Sequence, residues 1–278
     1  MEIKKYPDGS SYAQISVNKL QELEFRINSY EDLWHLHQCV DAFNHSILVP
    51  PIITIPNLID AQADRRFKAY QSFGLKLVCE FLNNMKAKFR IFHPHNPEVV
   101  QALINDVHII DNSYFITKVI ELLGWKNKAE NQQRKDQKSI LMSSDAGGFK
   151  PLIKLCETIG WSGETYSASK ARNPKTGELT QLIDRQDFQG KDILIVDDIC
   201  VYGGTFKGLA KLLKERNCGK LYLAVSHITV QNLGNDPVTN YFDTVFTTNS
   251  KYNEYYFQAF NNPHLITENL QIIKLFNI

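Results

Sequence analysis

The chain has 278 residues, 43% hydrophobic and 22% charged, with 31 basic against 30 acidic residues for a formal net charge of +1. That balance describes a globular protein with room for two domains and leaves no electrostatic footprint for nucleic acid or an anionic membrane, so a small anionic molecule is the expected partner. Five scattered cysteines without C-x-x-C spacing indicate neither a disulfide framework nor a zinc knuckle, and no apolar run reaches the length of a membrane span.

In chain order, the opening Met1-Glu-Ile-Lys-Lys-Tyr6 lacks the apolar core of a signal peptide, which with the cysteine usage sets the expectation of a reducing cytoplasm. His35 and His37, beside Trp34, fall on a predicted amphipathic helix without the i, i+4 spacing of a helical metal pair, and read as structural. Ile52 to Ile55 and Phe89 to Phe92 read as buried strands, separated by a predicted helix from about Phe67 to Met85. The polar run Lys126 to Lys138 carries no aliphatic residue larger than alanine and marks the expected boundary between domains at 1–130 and 131–278, the last residues packing back on the first domain. Beyond it, Ile140 to Met142, Ile193 to Val196, Leu221 to Val225 and Thr244 to Thr247 read as strands alternating with helices. Both halves therefore read as α/β, each a mainly parallel sheet flanked by helices. Trp125 and Trp161 read as packing residues.

The densest signal lies between Lys191 and Phe206. Ile193 to Val196 is an apolar, β-branched run of the kind found inside a parallel sheet, and Asp197 and Asp198 fall at its carboxyl end, where open α/β sheets bind ligands. Gly203 and Gly204 let the backbone turn and approach an anion, and Thr205 is the expected cap of a helix with the apolar stripe Phe206, Leu209, Ala210, Leu212 and Leu213. Amides at a helix start favour a phosphate, and a carboxylate pair behind them can accept hydrogen bonds from the vicinal hydroxyls of a ribose. The glycine spacing fits neither a Walker loop nor a dinucleotide fingerprint. The bland alternative is a βα turn whose acids only cap the helix or face water.

This segment resembles the signature of type I phosphoribosyltransferase folds, and five more segments extend the likeness over nearly the whole chain to the ribose-phosphate pyrophosphokinases. Tyr6-Pro-Asp8-Gly9 resembles the family's adenine-contacting arm. Ile55-Pro56 with Ala61 and Asp64-Arg65-Arg66 resembles its Ile-Pro…Ala-Arg-Gln-Asp-Arg strand end. His93-Pro-His95 is similar to its Asp-x-His, Ser143-Ser-Asp145-Ala-Gly-Gly148 to its Ser-x-Asp-x-Gly-Gly turn, and Lys170-Ala-Arg172 to the Lys-x-Arg of its mobile catalytic loop. Ser226-His227 and Thr247-Thr-Asn249 resemble two downstream marks. The likeness implies two tandem phosphoribosyltransferase-like domains, the first on the ATP side and the second carrying the acceptor site. It also implies transfer of the β,γ-diphosphate of ATP to an anomeric hydroxyl with release of AMP, and a homo-oligomer, dimer or hexamer. Mg²⁺ would be the cofactor, served by His95 and Asp145. Catalysis would fall to Lys170 and Arg172, nucleotide binding to Tyr6, Asp8, Gln62, Asp64, Arg65 and His95, and acceptor binding to Asp197, Asp198, Val201, Tyr202, Gly203, Gly204 and Thr205. The segment Asn173 to Gly177 would act as a lid.

The departures cluster. Gln62 and Ala63 stand where the family has Arg-Gln, Ser10 where it has glutamate, and Val201 and Tyr202 where its phosphate loop has Asp-Thr. Three readings follow: a pyrophosphokinase acting on an extended ribose 5-phosphate such as ADP-ribose, which the changed loop favours; an ordinary ribose 5-phosphate enzyme with a drifted loop; and a catalytically silent, regulatory relative. Retention of Lys170, Arg172, His95, Asp145 and both acids counts against the last.

Overall fold

The computed structural model describes residues 2–15, 22–46, 49–125, 139–172, 179–229, 236–252 and 269–277. Two compact units divide the chain, Met1–Asp111 with Phe276–Ile278, and Asn112–Leu275.

The first unit opens with an antiparallel hairpin of β1 (Glu2–Lys5) and β2 (Ser11–Gln14). Gln38 of α1 (Tyr30–Ser46) donates to the Ser11 carbonyl at 2.6 Å and Lys5 reaches Glu31 at 2.8 Å, so the hairpin is fastened to that helix. A parallel sheet follows in chain order from β3 (Glu22–Glu24), β4 (Ile52–Ile55), β5 (Lys88–Phe92) and β6 (Val107–Ile110). Between its strands run α1, α2 (Gly74–Asn83) and α3 (Pro97–Leu103). Leu75, Val78, Cys79 and Leu82 of α2 are buried at i, i+3, i+4 and i+7, one face of a helix, beside Ile53, Ile55 and Ile91 of the sheet. The helix expected from Phe67 begins only at Gly74. Tyr70 holds a positive φ of 62°, which a helix does not admit, and the Gln71 side chain accepts the Phe67 amide at 3.0 Å, closing a turn instead. Near the chain end, Phe276 packs edge-on against Phe92 at 5.3 Å between centroids, and the Asn277 amide donates to Glu24 at 2.6 Å.

The second unit contains α4 (Ser113–Leu122), β7 (Ser139–Ser143), α5 (Phe149–Ile159), β8 (Glu164–Ser167), β9 (Ser169–Arg172), β10 (Leu179–Leu182) and β11 (Asp192–Cys200). After these come α6 (Gly204–Glu215), β12 (Leu221–Ile228), β13 (Thr244–Thr248) and β14 (Leu270–Ile273). Six strands form a parallel sheet in the order β14-β13-β12-β11-β7-β8, while β9 and β10 pair antiparallel apart from it. Side chains alternate between two cores. Ile140, Met142, Ile193, Ile195, Leu221, Leu223 and Val225 meet Phe206, Leu209 and Leu213 of α6. Leu141, Leu194, Val196, Tyr222 and Ala224 meet α4 and α5 on the opposite face, joined by Trp125. Burial on both faces is why these strands read as continuous apolar runs.

The expected domain boundary at 130/131 lies outside the described residues. Helix α4 belongs to the second unit because Phe115, Ile116, Val119 and Ile120 are buried against α5 and the second sheet, so the units part at Asp111 rather than in the polar run after Trp125. Among the described residues no helix is long and apolar enough to cross a membrane.

Candidate active site

In the second sheet the strand order reverses between β7 and β11, the place where open α/β sheets take ligands at their carboxyl ends. β11 pairs with β7 only as far as Val196↔Ser143, but with β12 on to Cys200↔Ile228, so Asp197 and Asp198 project past the end of β7. Asp197 receives the Ser144 hydroxyl on Oδ2 and the Asp198 amide on Oδ1 at 2.8 Å. Burial, and next the Asp198 charge, push the Asp197 carboxyl up to about 7.

The turn that follows launches α6. Gly203 holds φ 75° and ψ 1°, a left-handed conformation that a glycine adopts without Cβ strain. A Cβ added at Gly204 would meet nothing within 4 Å. Tyr202 is 73% exposed at the tip, while Thr229 donates its hydroxyl to the Val201 carbonyl at 2.7 Å. Thr205, the cap expected from sequence, is instead the second residue of the helix. The left-handed Gly203 occupies the cap position, and no side-chain hydrogen bond closes the helix start, which leaves its amides to an anion.

The β7–α5 turn carries Asp145. Its Oδ1 accepts the Gly148 amide at 3.0 Å, and its carbonyl accepts the hydroxyls of Ser143 at 2.9 Å and Ser167 at 3.2 Å. A Cβ at Gly148 would stand 3.3 Å from that of Ser143, so the glycine lets the turn close. The Ala168 amide donates to the Ser143 carbonyl at 3.2 Å, which ties the root of β9 to the same turn. Lys170 and Arg172 lie two apart on β9, opposite Gln181 and Leu179 of β10. The segment expected as a lid, 173–177, lies outside the described residues. The return leg after β10 is held by Arg216, which donates to the carbonyls of Ile183 and, at 2.6 Å, Arg185. At the end of β12, the Ser226 carbonyl accepts the hydroxyls of Thr248 at 2.7 Å and Ser250 at 3.0 Å, and His227 Nδ1 lies 2.8 Å from the Ser250 hydroxyl.

In the first unit, Tyr6 and Asp8 sit on the hairpin turn. The Tyr6 amide donates to the Ser10 carbonyl at 2.8 Å, and the Ser10 hydroxyl donates to Asp8 at 2.7 Å, holding that carboxyl below the usual aspartate range. Asp64 is 8% exposed and accepts the Asn96 side-chain amide at 2.8 Å. Asn96 in turn caps α3 by accepting the Val99 amide at 3.2 Å. Arg65 lies 3.7 Å from Asp64 with its guanidinium 5.0 Å over the Phe67 ring. Gln62 and His95 are exposed, His95 on the turn between β5 and α3.

A model of the phosphoribosyl transferase domain matches residues 108–259, which include β7, Asp145, the two acids and the start of α6. The chain belongs to the phosphoribosyl transferase domain family. Relatives similar over most of its length include ribose-phosphate pyrophosphokinases. It is 23% identical to that of Thermococcus kodakarensis, over 90% of this chain and 85% of the relative. The corresponding protein of Sulfolobus acidocaldarius is 25% identical, over 90% and 84%. The crystal structure of phosphoribosylpyrophosphate synthetase from Mycobacterium smegmatis shares the fold, with a TM-score of 0.74 over 99% of this chain and 85% of that one, at 16% identity.

Within this phosphoribosyl transferase frame, the second unit brings Asp145, Asp197, Asp198 and the Val201 to Thr205 turn to the carboxyl end of one sheet. Sequence reasoning missed Ser144, Ser167, Thr229 and Asn96. Only Asn96 left a sequence signal, as an Asn-Pro pair opening a helix. Among the described residues no group of three or more His, Cys, Asp or Glu side chains could cage a metal. A hard cation that takes one or two protein oxygens and leaves its other positions to water and phosphate fits the Asp145 carboxylate.

Proposed function

We propose that this chain is a diphosphotransferase that moves the β,γ-diphosphate of ATP to the anomeric hydroxyl of a ribose 5-phosphate unit, with ADP-ribose as the acceptor. In this reaction the acceptor oxygen bonds to the β-phosphorus, the bond from that phosphorus to the α-phosphate oxygen breaks, AMP leaves, and the hydroxyl proton is lost to solvent. Asp197 and Asp198 accept hydrogen bonds from the ribose hydroxyls, and the amides at the start of α6 receive the 5-phosphate. Lys170 offers a compact charge and Arg172 a planar fork to the oxygens of the transferring group, whose charge is what such a reaction needs stabilised. Tyr6, Asp8, Gln62, Asp64, Arg65 and His95 form the ATP side. Mg²⁺, held by Asp145 with His95 at the nucleotide, would neutralise phosphate charge. The protein works in the cytoplasm as a homo-oligomer.

The observation that carries ADP-ribose is the acceptor turn. Tyr202 is 73% exposed beside the left-handed Gly203, where the pyrophosphokinases have a hydroxyl. A terminal phosphate is nearly dianionic and suits a closed ring of amides and hydroxyls, whereas a phosphate within a diester carries less charge and must let its chain leave. An exposed ring at that rim can stack on the adenine, and Val201 in place of a carboxylate lowers repulsion toward a second phosphate. Ribose 5-phosphate itself is the second reading, favoured by the full-length likeness to ribose-phosphate pyrophosphokinases. Incubation with Mg-ATP and each acceptor, with AMP followed by chromatography, separates the two. Faster release with ADP-ribose supports the first reading, and release with ribose 5-phosphate alone establishes the second.

A further inference from the structure

We propose that Thr229 is a positioning residue that holds the acceptor turn preformed before the sugar phosphate arrives, an inference that rests on the pyrophosphokinase reading above. β12 pairs with β11 as far as Cys200↔Ile228, and Thr229 is the next residue. Its amide donates to the Cys200 carbonyl at 3.0 Å, and its hydroxyl donates to the Val201 carbonyl at 2.7 Å. One side chain and its own backbone therefore fix two successive carbonyls of the turn. Thr229 is 5% exposed, so water is poorly placed to replace the hydroxyl if it is removed, and the Val201 carbonyl would lose a partner in a buried setting.

The consequence lies in what is left to order. Between the anchored Val201 and the first residue of α6 stand only Tyr202 and Gly203, and Gly203 is already in the left-handed conformation that turns the chain into the helix. A turn fixed on its strand side and continuous with a helix on the other presents its amides without further ordering when an anion binds. Ordering that accompanies binding subtracts from affinity, so a preformed turn binds the acceptor more tightly than a loose one. The Thr229 hydroxyl reaches the turn through the Val201 carbonyl, while its amide holds the Cys200 carbonyl. Threonine suits that role, since valine would keep the shape and lose the donor, and serine would keep the donor and lose a methyl group.

The test compares the full-length wild type with Thr229→Val and Thr229→Ser. Binding of ribose 5-phosphate and of ADP-ribose is measured by titration calorimetry, and AMP release by steady-state kinetics. Thr229→Val is expected to weaken binding of the accepted sugar phosphate about tenfold. Its KM for that acceptor should rise in parallel, with KM for ATP unchanged and kcat at saturating acceptor within about threefold of wild type. Thr229→Ser restores both values. Thr229→Ala serves the same comparison should the valine variant not fold. Equal acceptor affinity in wild type and Thr229→Val, or a loss in kcat with acceptor affinity intact, overturns the proposal alone. A wild type that binds neither sugar phosphate overturns it together with the functional reading.

Discussion

Ser144 donates its hydroxyl to Asp197 across the reversal point of the second sheet, joining the turn after β7 to the acidic end of β11. Burial and the neighbouring Asp198 charge push that carboxyl up to about 7, while the Ser144 hydroxyl and the Asp198 amide act to lower it.

A carboxyl whose folded pKa lies above its ordinary value of 3.8 costs no stability below that value. The cost grows as pH rises toward about 7 and is constant above it, because across that window the native state binds more protons than the unfolded state. Asp197→Asn, which cannot ionise, should therefore melt a few degrees above wild type at pH 8 and no higher than wild type at pH 4, about 2–4 °C for each kcal/mol recovered. Scanning calorimetry at the two pH values reads this directly. A lower melting temperature at pH 8 would show that the ionised Asp197 is stabilised by its partners.

On the proposed mechanism, which needs their charge chiefly as the phosphoryl group transfers, Lys170→Ala and Arg172→Ala should each lower kcat by a factor of about a hundred or more while leaving ATP affinity near wild type. Steady-state rates paired with equilibrium nucleotide binding separate the two effects. Equal losses in affinity and rate would move both residues from catalysis to binding.

Val201→Asp combined with Tyr202→Thr restores the acid and the hydroxyl of the pyrophosphokinase loop. The double variant should shift the ratio of kcat/KM for ADP-ribose over ribose 5-phosphate toward ribose 5-phosphate by about tenfold, the scale of one or two polar contacts. An unchanged ratio would take acceptor choice away from this turn.

Chelation of divalent cations should abolish AMP release, and Asp145→Asn should raise the Mg²⁺ concentration needed for half-maximal rate, because an amide is a poorer ligand for a hard cation than a carboxylate. The measurement is the rate against free Mg²⁺ at fixed ATP. Identical curves for variant and wild type would remove Asp145 from the metal.

Gly219 tests the packing beneath the site. A Cβ there would stand 2.4 Å from the Gly190 carbonyl and 2.5 Å from Asp192 Oδ1, and the Gly219 amide already donates to the Lys191 carbonyl at 2.8 Å. Gly219→Ala should destabilise the protein by about 1–3 kcal/mol, because backbone must shift to admit the methyl group. Chemical denaturation measures this, and a variant as stable as wild type would show that the β11 entry relaxes freely.

Sequence carried much of this. Ile52 to Ile55 is a strand over those same four residues, and of the expected α6 stripe Phe206, Leu209, Ala210 and Leu213 are buried while Leu212 is half-buried, because both patterns arise from burial on a fixed period. Residues without such a period were illegible. β9, Ser-Lys-Ala-Arg, has no apolar alternation, and Glu22-Leu-Glu24 carries its strand at a sheet edge where burial is slight. At the site, paired acids and glycines announce themselves by type, whereas Ser144 meets its partner 53 positions away and Thr229 meets Val201 28 positions away. A lone hydroxyl in sequence gives no sign of which distant carbonyl or carboxylate it will find. The cap assigned to Thr205 failed for a related reason, since the left-handed Gly203 starts the helix two residues earlier than a threonine cap would.

The alternation of β11 between two cores has a further effect on the acids. Ile193 and Ile195 face one core while Leu194 and Val196 face the other, each with its own helices. Slippage by a single residue would exchange both sets at once and carry Asp198 into the place of Asp197. The spacing of the carboxylates is thus gauged from two sides, and an insertion or deletion inside β11 would misplace the chemistry even where the strand still formed.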